Sequence, residues 1–138
     1  MTVMTSASVA RKRVLCVEDD EDTREMMNAL LKSYGYEPVI AASVSDALES
    51  ARSGGLALYI LDHWLTEGNG IDLCQQIRAF DSETPIMFYS GAGYEADIQN
   101  GLRAGAQAYL VKPDFENLKP TIDRLISRTN LTTHLNLL

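Results

Sequence analysis

The chain has 138 residues, of which 46% are apolar and 22% charged, which fits one globular domain and leaves no length for a second. That composition excludes a disordered or fibrous chain, and a net charge of −7 argues against a nucleic-acid surface, which needs clustered Lys and Arg. No apolar run exceeds six residues, short of a secretory core or a membrane span, so a soluble cytoplasmic protein without a membrane partner is expected.

Residues 1–12 read as a flexible lead-in, with Arg11-Lys12-Arg13 as solvated charges ahead of a strand. Val14-Leu15-Cys16-Val17 is the first strand, and it runs into an acidic burst from Glu18 to Asp22. Met26, Met27, Leu30, Leu31 and Tyr34 then recur at helical spacing, with acids in the first turn and Gly35 at the stop. A second strand follows at Pro38 to Ala42. Ser43-Val44-Ser45-Asp46 has the form of a capping box opening a helix that ends at Ser53-Gly54-Gly55.

Leu56-Ala57-Leu58-Tyr59-Ile60-Leu61 is a short, uniformly apolar run, the pattern of a strand buried on both faces, and it delivers Asp62 at its end. A loop is predicted from His63 to Asn69, then a helix in which Leu73, Ile77 and Phe80 repeat at i, i+4, i+7. Pro85 to Tyr89 is the fourth strand, broken by Ser90-Gly91-Ala92-Gly93. Tyr94 to Ala104 reads as a weaker, mobile helix, because Gly101 interrupts it at roughly 1 kcal/mol against Ala. Ala106 to Val111 is the fifth strand, stopped by Lys112-Pro113, and Leu118, Ile122 and Leu125 mark a closing helix. The main domain is thus expected over 13–128, with a tail at 129–138 that extends the helix or frays. Cys16 and Cys74 lack metal-ligand spacing and read as core thiols.

Five strand-helix units without hairpin signals mean an α/β fold: one doubly wound parallel sheet with right-handed crossovers and helices on both faces. Ligands bind such sheets at the C-terminal edge of the strands. There the sequence places Glu18 and Asp19, Asp62, Ser90 and Lys112, each directly after a predicted strand. Three converging carboxylates repel one another unless a cation intervenes, and an oxygen-only set suits Mg²⁺ rather than zinc. With a metal bound, Asp62 becomes a nucleophile toward phosphorus, with Lys112 and the Ser90 hydroxyl stabilising the phosphoryl oxygens. Taken singly, each residue has a plain alternative: helix-terminal charge for the acids, a turn for Ser90, an exposed lysine for Lys112.

Val17-Glu18-Asp19-Asp20, Ile60-Leu61-Asp62 with Gly70 eight residues on, Tyr89-Ser90-Gly91, and the run from Gly105 to Pro113 together resemble the receiver domain of two-component response regulators. The resemblance spans Val14 to about Ser127. It implies a flavodoxin-like sheet in the order 2-1-3-4-5, Asp62 as phosphoacceptor, and Mg²⁺ held by Glu18, Asp19, Asp62 and the Trp64 carbonyl. It also implies Ser90 and Tyr109 as a switch pair and a cis bond at Lys112-Pro113. The implied function is a stand-alone regulator, not an enzyme beyond its own phosphorylation and slow dephosphorylation. It would take its phosphoryl group from a histidine kinase or phosphotransfer protein and pass the signal to a protein partner through the face of the fourth helix, fifth strand and fifth helix. A phosphorylation-dependent homodimer is the further partner expected.

Three departures from the family pattern stand out. Thr66 replaces the usual Pro, which should loosen its loop; Gly91 follows the serine where Ala is common; and His63-Trp64 is unusual. Trp64 is read either as a shield for the acyl phosphate or as an exposed aromatic for a partner, and His63 as structural or solvated. Two other functions compete. A dehalogenase-like phosphatase would need a second acid two residues after the nucleophile, where Trp64 stands. A degenerate receiver used only for docking would lack some of the key side chains, all of which are present.

Overall fold

The computed structural model describes residues 10–136, with side chains through 128. Residues 1–9 of the expected lead-in and the last two residues of the expected tail lie outside that range. The elements in chain order are β1 (Arg13–Val17), α1 (Glu21–Ser33), β2 (Glu37–Ala41), α2 (Val44–Ser53), β3 (Leu58–Leu61), β4 (Trp64–Leu65), β5 (Gly68–Asn69), α3 (Gly70–Arg78), β6 (Ile86–Ser90), α4 (Glu95–Ala104), β7 (Ala108–Val111) and α5 (Phe115–Asn136).

β1, β3 and β6 are buried at nearly every position, which is why their sequences read as unbroken apolar runs and not as alternation. All pairings in the main sheet are parallel, in the order β2-β1-β3-β6-β7. With the small β4–β5 pair set aside, this is the expected 2-1-3-4-5 arrangement of the flavodoxin-like receiver fold. One face packs Leu15, Val17, Tyr59, Leu61, Ile86 and Phe88 against α2 and α3. The other packs Val14, Cys16, Leu58, Ile60, Met87 and Tyr89 against α1 and α5. Each such side chain, fully withdrawn from water, contributes roughly 1.5–3 kcal/mol.

Register carries this order to the functional edge. Val17 pairs with Ala41 on one side and Leu61 on the other, so Glu18 and Asp62 leave neighbouring strands at the same height. The pairing runs slightly past the strand ends: Glu18 N–H donates to the Ala41 carbonyl and Asp62 N–H to that of Val17. Ser90 pairs with Val111, and the peptide bond that follows, Lys112-Pro113, is cis.

Helix starts follow the sequence signals. Asp20, Ser43 and Asn69 each cap a helix by accepting a hydrogen bond from the backbone three residues on. The predicted core residues divide as a helix face should: Met27 and Leu31 are buried in α1, and Ala47, Leu48 and Ala51 in α2.

Four expectations are corrected. The predicted loop at 63–69 contains an antiparallel hairpin, with Trp64 opposite Asn69 and Leu65 opposite Gly68. Phe80 lies beyond the end of α3 and is exposed, its ring under the Arg52 guanidinium. β7 starts at Ala108, two residues later than expected. In α4 the buried residue is Gly101, while Leu102 faces outward. Gly101 is therefore a packing residue: a Cβ there would stand 2.8 Å from Tyr109 Cδ2 and 3.1 Å from Phe88 Cδ1. The tail question resolves toward helix, since α5 continues to Asn136. Among the described residues no helix is long and apolar enough to cross a membrane.

Candidate functional site

Glu18, Asp19 and Asp62 meet at the C-terminal edge of β1 and β3, each offering a carboxylate oxygen within 4.8 Å of the others. Lys112 reaches across from the end of β7. Its Nζ donates to Glu18 Oε1 at 2.5 Å and lies 3.5 Å from Asp62 Oδ2. Glu18 is 4% exposed, so its charge is held inside the protein. Burial pushes its carboxyl above the usual range and the Asp62 charge adds to that push, while Lys112 and the Asp20 N–H oppose it. Burial pulls the Lys112 ammonium the other way, but its bond to Glu18 and the nearby charges outweigh that and raise it.

The backbone around these acids is fixed by residues outside the acidic cluster itself. Arg24, one turn into α1, donates from Nη1 to the carbonyls of Glu18 at 3.1 Å and Asp19 at 2.7 Å. Gly70 opens α3 so close beneath Asp62 that a Cβ would stand 2.1 Å from the Asp62 carbonyl oxygen, and its N–H donates to the His63 carbonyl at 2.7 Å. Only glycine fits there. Thr66 reaches back from the β4–β5 turn and donates its hydroxyl to Asp19 Oδ2 at 2.5 Å. The residue that removes a proline from this loop thus ties the loop to an acid.

Ser90 ends β6 with its hydroxyl buried, accepting from the Ala92 N–H at 3.1 Å. Tyr109, opposite Phe88 in the sheet, lies stacked on that ring and donates its phenol proton to the Ala92 carbonyl at 2.6 Å. Burial raises the phenol's pKa, and the neighbouring Ser90 hydroxyl works against the rise. Trp64 begins β4 two residues past Asp62 and is 61% exposed, beside the His63 ring. His63 itself is buried. Cys16 lies beneath the acids, and burial, helped by the Glu18 charge, pushes its thiol up to about 12; burial pushes Cys74 up to about 11. Both are unreactive core thiols.

The sequence reading placed the acids, the serine and the lysine at this edge because each follows a strand. It did not find Arg24 or the Thr66–Asp19 bond, which join positions 5 and 47 residues apart. The basic side chain one turn after an acidic strand end was the available signal for Arg24.

The family model for the response regulator receiver domain matches residues 14–123. The chain belongs to the response regulator receiver domain family. It is 36% identical over 103 residues to the DNA-binding response regulator MtrA of Mycolicibacterium smegmatis, covering 75% of this chain and 45% of that protein. It is 36% identical over 121 residues to the transcriptional regulatory protein DltR of Streptococcus agalactiae, covering 88% of this chain and 51% of that protein. This receiver therefore spans about half the length of those relatives. A CheY-like receiver domain protein from Methanospirillum hungatei superposes with a TM-score of 0.84, over 89% of this chain and 99% of the other; at 24% identity that likeness speaks for the fold alone.

Receiver domains generally bind Mg²⁺ at an acidic pocket, and Glu18, Asp19 and Asp62 form such a pocket here. One expectation is overturned by these matches. The label of non-enzyme does not hold for this receiver, because kinship with MtrA, DltR and the family carries no positive sign of it.

Proposed function

We propose that the chain is the receiver of a response regulator, with residues 13–128 as the receiver unit, and that Asp62 takes a phosphoryl group from the phosphohistidine of a histidine kinase or phosphotransfer protein. The observation that carries this reading is the meeting of Glu18, Asp19 and Asp62 with the Lys112 ammonium at one sheet edge. Three acids around one cation leave net negative charge, which a divalent ion offsets.

The donor set fits Mg²⁺: it is all carboxylate, without His or Cys. Asp19 and Asp62 would supply direct oxygens, with the Trp64 carbonyl completing the set. Glu18 already accepts from Lys112 and from the Asp20 N–H, so it serves mainly as lining charge. When bound, the ion neutralises phosphoryl oxygens and so lets a carboxylate approach phosphorus.

In the transfer, an Asp62 oxygen attacks phosphorus as the phosphorus–nitrogen bond of the donor breaks, and the departing imidazole keeps the electron pair and takes up a proton. Lys112, 3.5 Å from Asp62, neutralises one phosphoryl oxygen, and the Ser90 hydroxyl turns from the Ala92 N–H to donate to another. Water then attacks phosphorus and releases inorganic phosphate, restoring the carboxylate. Movement of Ser90 away from the Ala92 N–H releases the segment whose carbonyl takes the Tyr109 proton, and the surface of α4, β7 and α5 responds as the protein-binding face.

Intact mass after incubation with a small-molecule phosphodonor tests this. The wild-type chain gains one phosphoryl group with Mg²⁺ and none with chelator, and Asp62→Asn gains none. An adduct of equal yield in Asp62→Asn overturns the assignment.

A further inference from the structure

His63 stands between Asp62 and Trp64, yet it is 4% exposed. Its Nδ1 lies 3.1 Å from the Tyr109 hydroxyl, and that hydroxyl lies 2.6 Å from the Ala92 carbonyl. A phenol has one proton, and a carbonyl has none to give. With the phenol proton engaged by Ala92, the contact to His63 requires the proton to sit on the ring: Nδ1–H donates and the Tyr109 oxygen accepts.

The rest of the pocket holds the tyrosine ring by its faces. Phe88 stacks on it with centroids 5.3 Å apart and planes 16° from parallel, and Gly101 leaves no room for a Cβ on its edge. The His63 ring is fixed in turn, with Trp64 at 4.6 Å and Phe88 at 6.1 Å. Flat contacts of this kind set the plane of Tyr109 but not the direction of its hydroxyl. Direction comes from Ala92 and His63.

We propose that His63 is a positioning residue for Tyr109: its Nδ1–H holds the phenol toward the Ser90–Ala92 segment and couples the backbone beside Asp62 to β7 through one side chain. This gives the site two routes to the aromatic, one through Ser90 on β6 and one through the residue covalently next to Asp62. The coupling rests on the reading of Asp62 as phosphoacceptor. The resting arrangement of His63 and Tyr109 does not.

The test uses the full chain labelled with ¹⁵N-histidine and 3-fluorotyrosine. With two histidines and six tyrosines, His63→Asn and Tyr109→Phe assign the resonances by deletion. In resting wild type, the His63 shifts report a protonated Nδ1. In His63→Leu, the Tyr109 fluorine resonance moves, and in His63→Asn, which keeps a donor at the Nδ1 position, it returns toward the wild-type shift. A bare Nδ1, or an unmoved fluorine resonance in His63→Leu, overturns the proposal. Should His63→Leu fail to fold, the wild-type Nδ1 protonation decides alone. Intact mass on the same wild-type sample after phosphodonor treatment separates the two readings. A missing adduct beside a protonated Nδ1 sinks the phosphoacceptor assignment and the coupling to it, and leaves the resting role standing.

Discussion

Lys112 Nζ is 2.5 Å from Glu18 and 3.5 Å from Asp62, so the lysine is bonded tightly to the buried acid and more loosely to the part-buried one. The asymmetry means that Lys112 holds Glu18 in the fold as well as standing beside the proposed phosphoacceptor. Removing one partner of a buried pair leaves the other's charge without compensation. Lys112→Met is expected to lower stability by about 1–3 kcal/mol, measured by urea unfolding in chelator. Adding Glu18→Gln recovers part of the loss. Additive losses in the double variant would show that the pair does not act as a pair.

Gly101 sets a contest between two effects of known size. Ala in a helix is better than Gly by up to about 1 kcal/mol. A Cβ at this position, however, meets Tyr109 at 2.8 Å, and overpacking costs about 1–3 kcal/mol. The clash wins: Gly101→Ala is expected to lower the urea midpoint and to shift Tyr109 signals. A raised midpoint would mean that Tyr109 yields freely.

Thr66 donates to Asp19, the acid that under the proposed function would supply an oxygen to the metal. Groups that orient a ligand in this way alter metal affinity by about 10-fold or more when removed. Thr66→Ala is expected to weaken Mg²⁺ binding by about that factor, and Thr66→Ser to restore it. Trp64, the single tryptophan and two residues from Asp62, reports binding by fluorescence. Equal affinities across the three proteins would remove Thr66 from the site.

The difference between what the sequence disclosed and what it hid follows from range. Strands β1, β3 and β6 were legible because burial on both faces demands unbroken apolar runs, and Glu18, Asp62 and Ser90 because each ends or follows one. The cis bond and the sheet order came from the resemblance, not from periodicity. The β4–β5 hairpin was hidden because two-residue strands have no room for alternation. Gly101 looked like a helix weakness because propensity sees only the helix, and its reason, Tyr109, lies across a gap to β7. Phe80 kept the period of α3, but the helix stops at Arg78, whose guanidinium turns to the carbonyls of Asp81, Thr84 and Gly105.

Asp81 gives the fold a pH dependence away from the acidic site. Burial raises its carboxyl, but the Thr84 and Glu83 N–H groups and the Tyr59 hydroxyl outweigh that and hold it below the usual range. A carboxyl depressed on folding stabilises above its unfolded value, about 3.9, and the contribution is lost as pH falls through the lower folded value. The stability difference between wild type and Asp81→Asn is therefore expected to shrink as pH drops through that window. A difference that is constant with pH would contradict it.

The most direct test of the account is to trap the phosphoryl group where it forms. After phosphodonor and Mg²⁺, borohydride reduces an aspartyl phosphate to homoserine, and peptide sequencing by mass locates it. The account predicts homoserine at position 62 and nowhere else. Homoserine at Asp19 or Glu21's neighbour Asp20, or an unreduced Asp62 in protein that carries the phosphoryl mass, would contradict it.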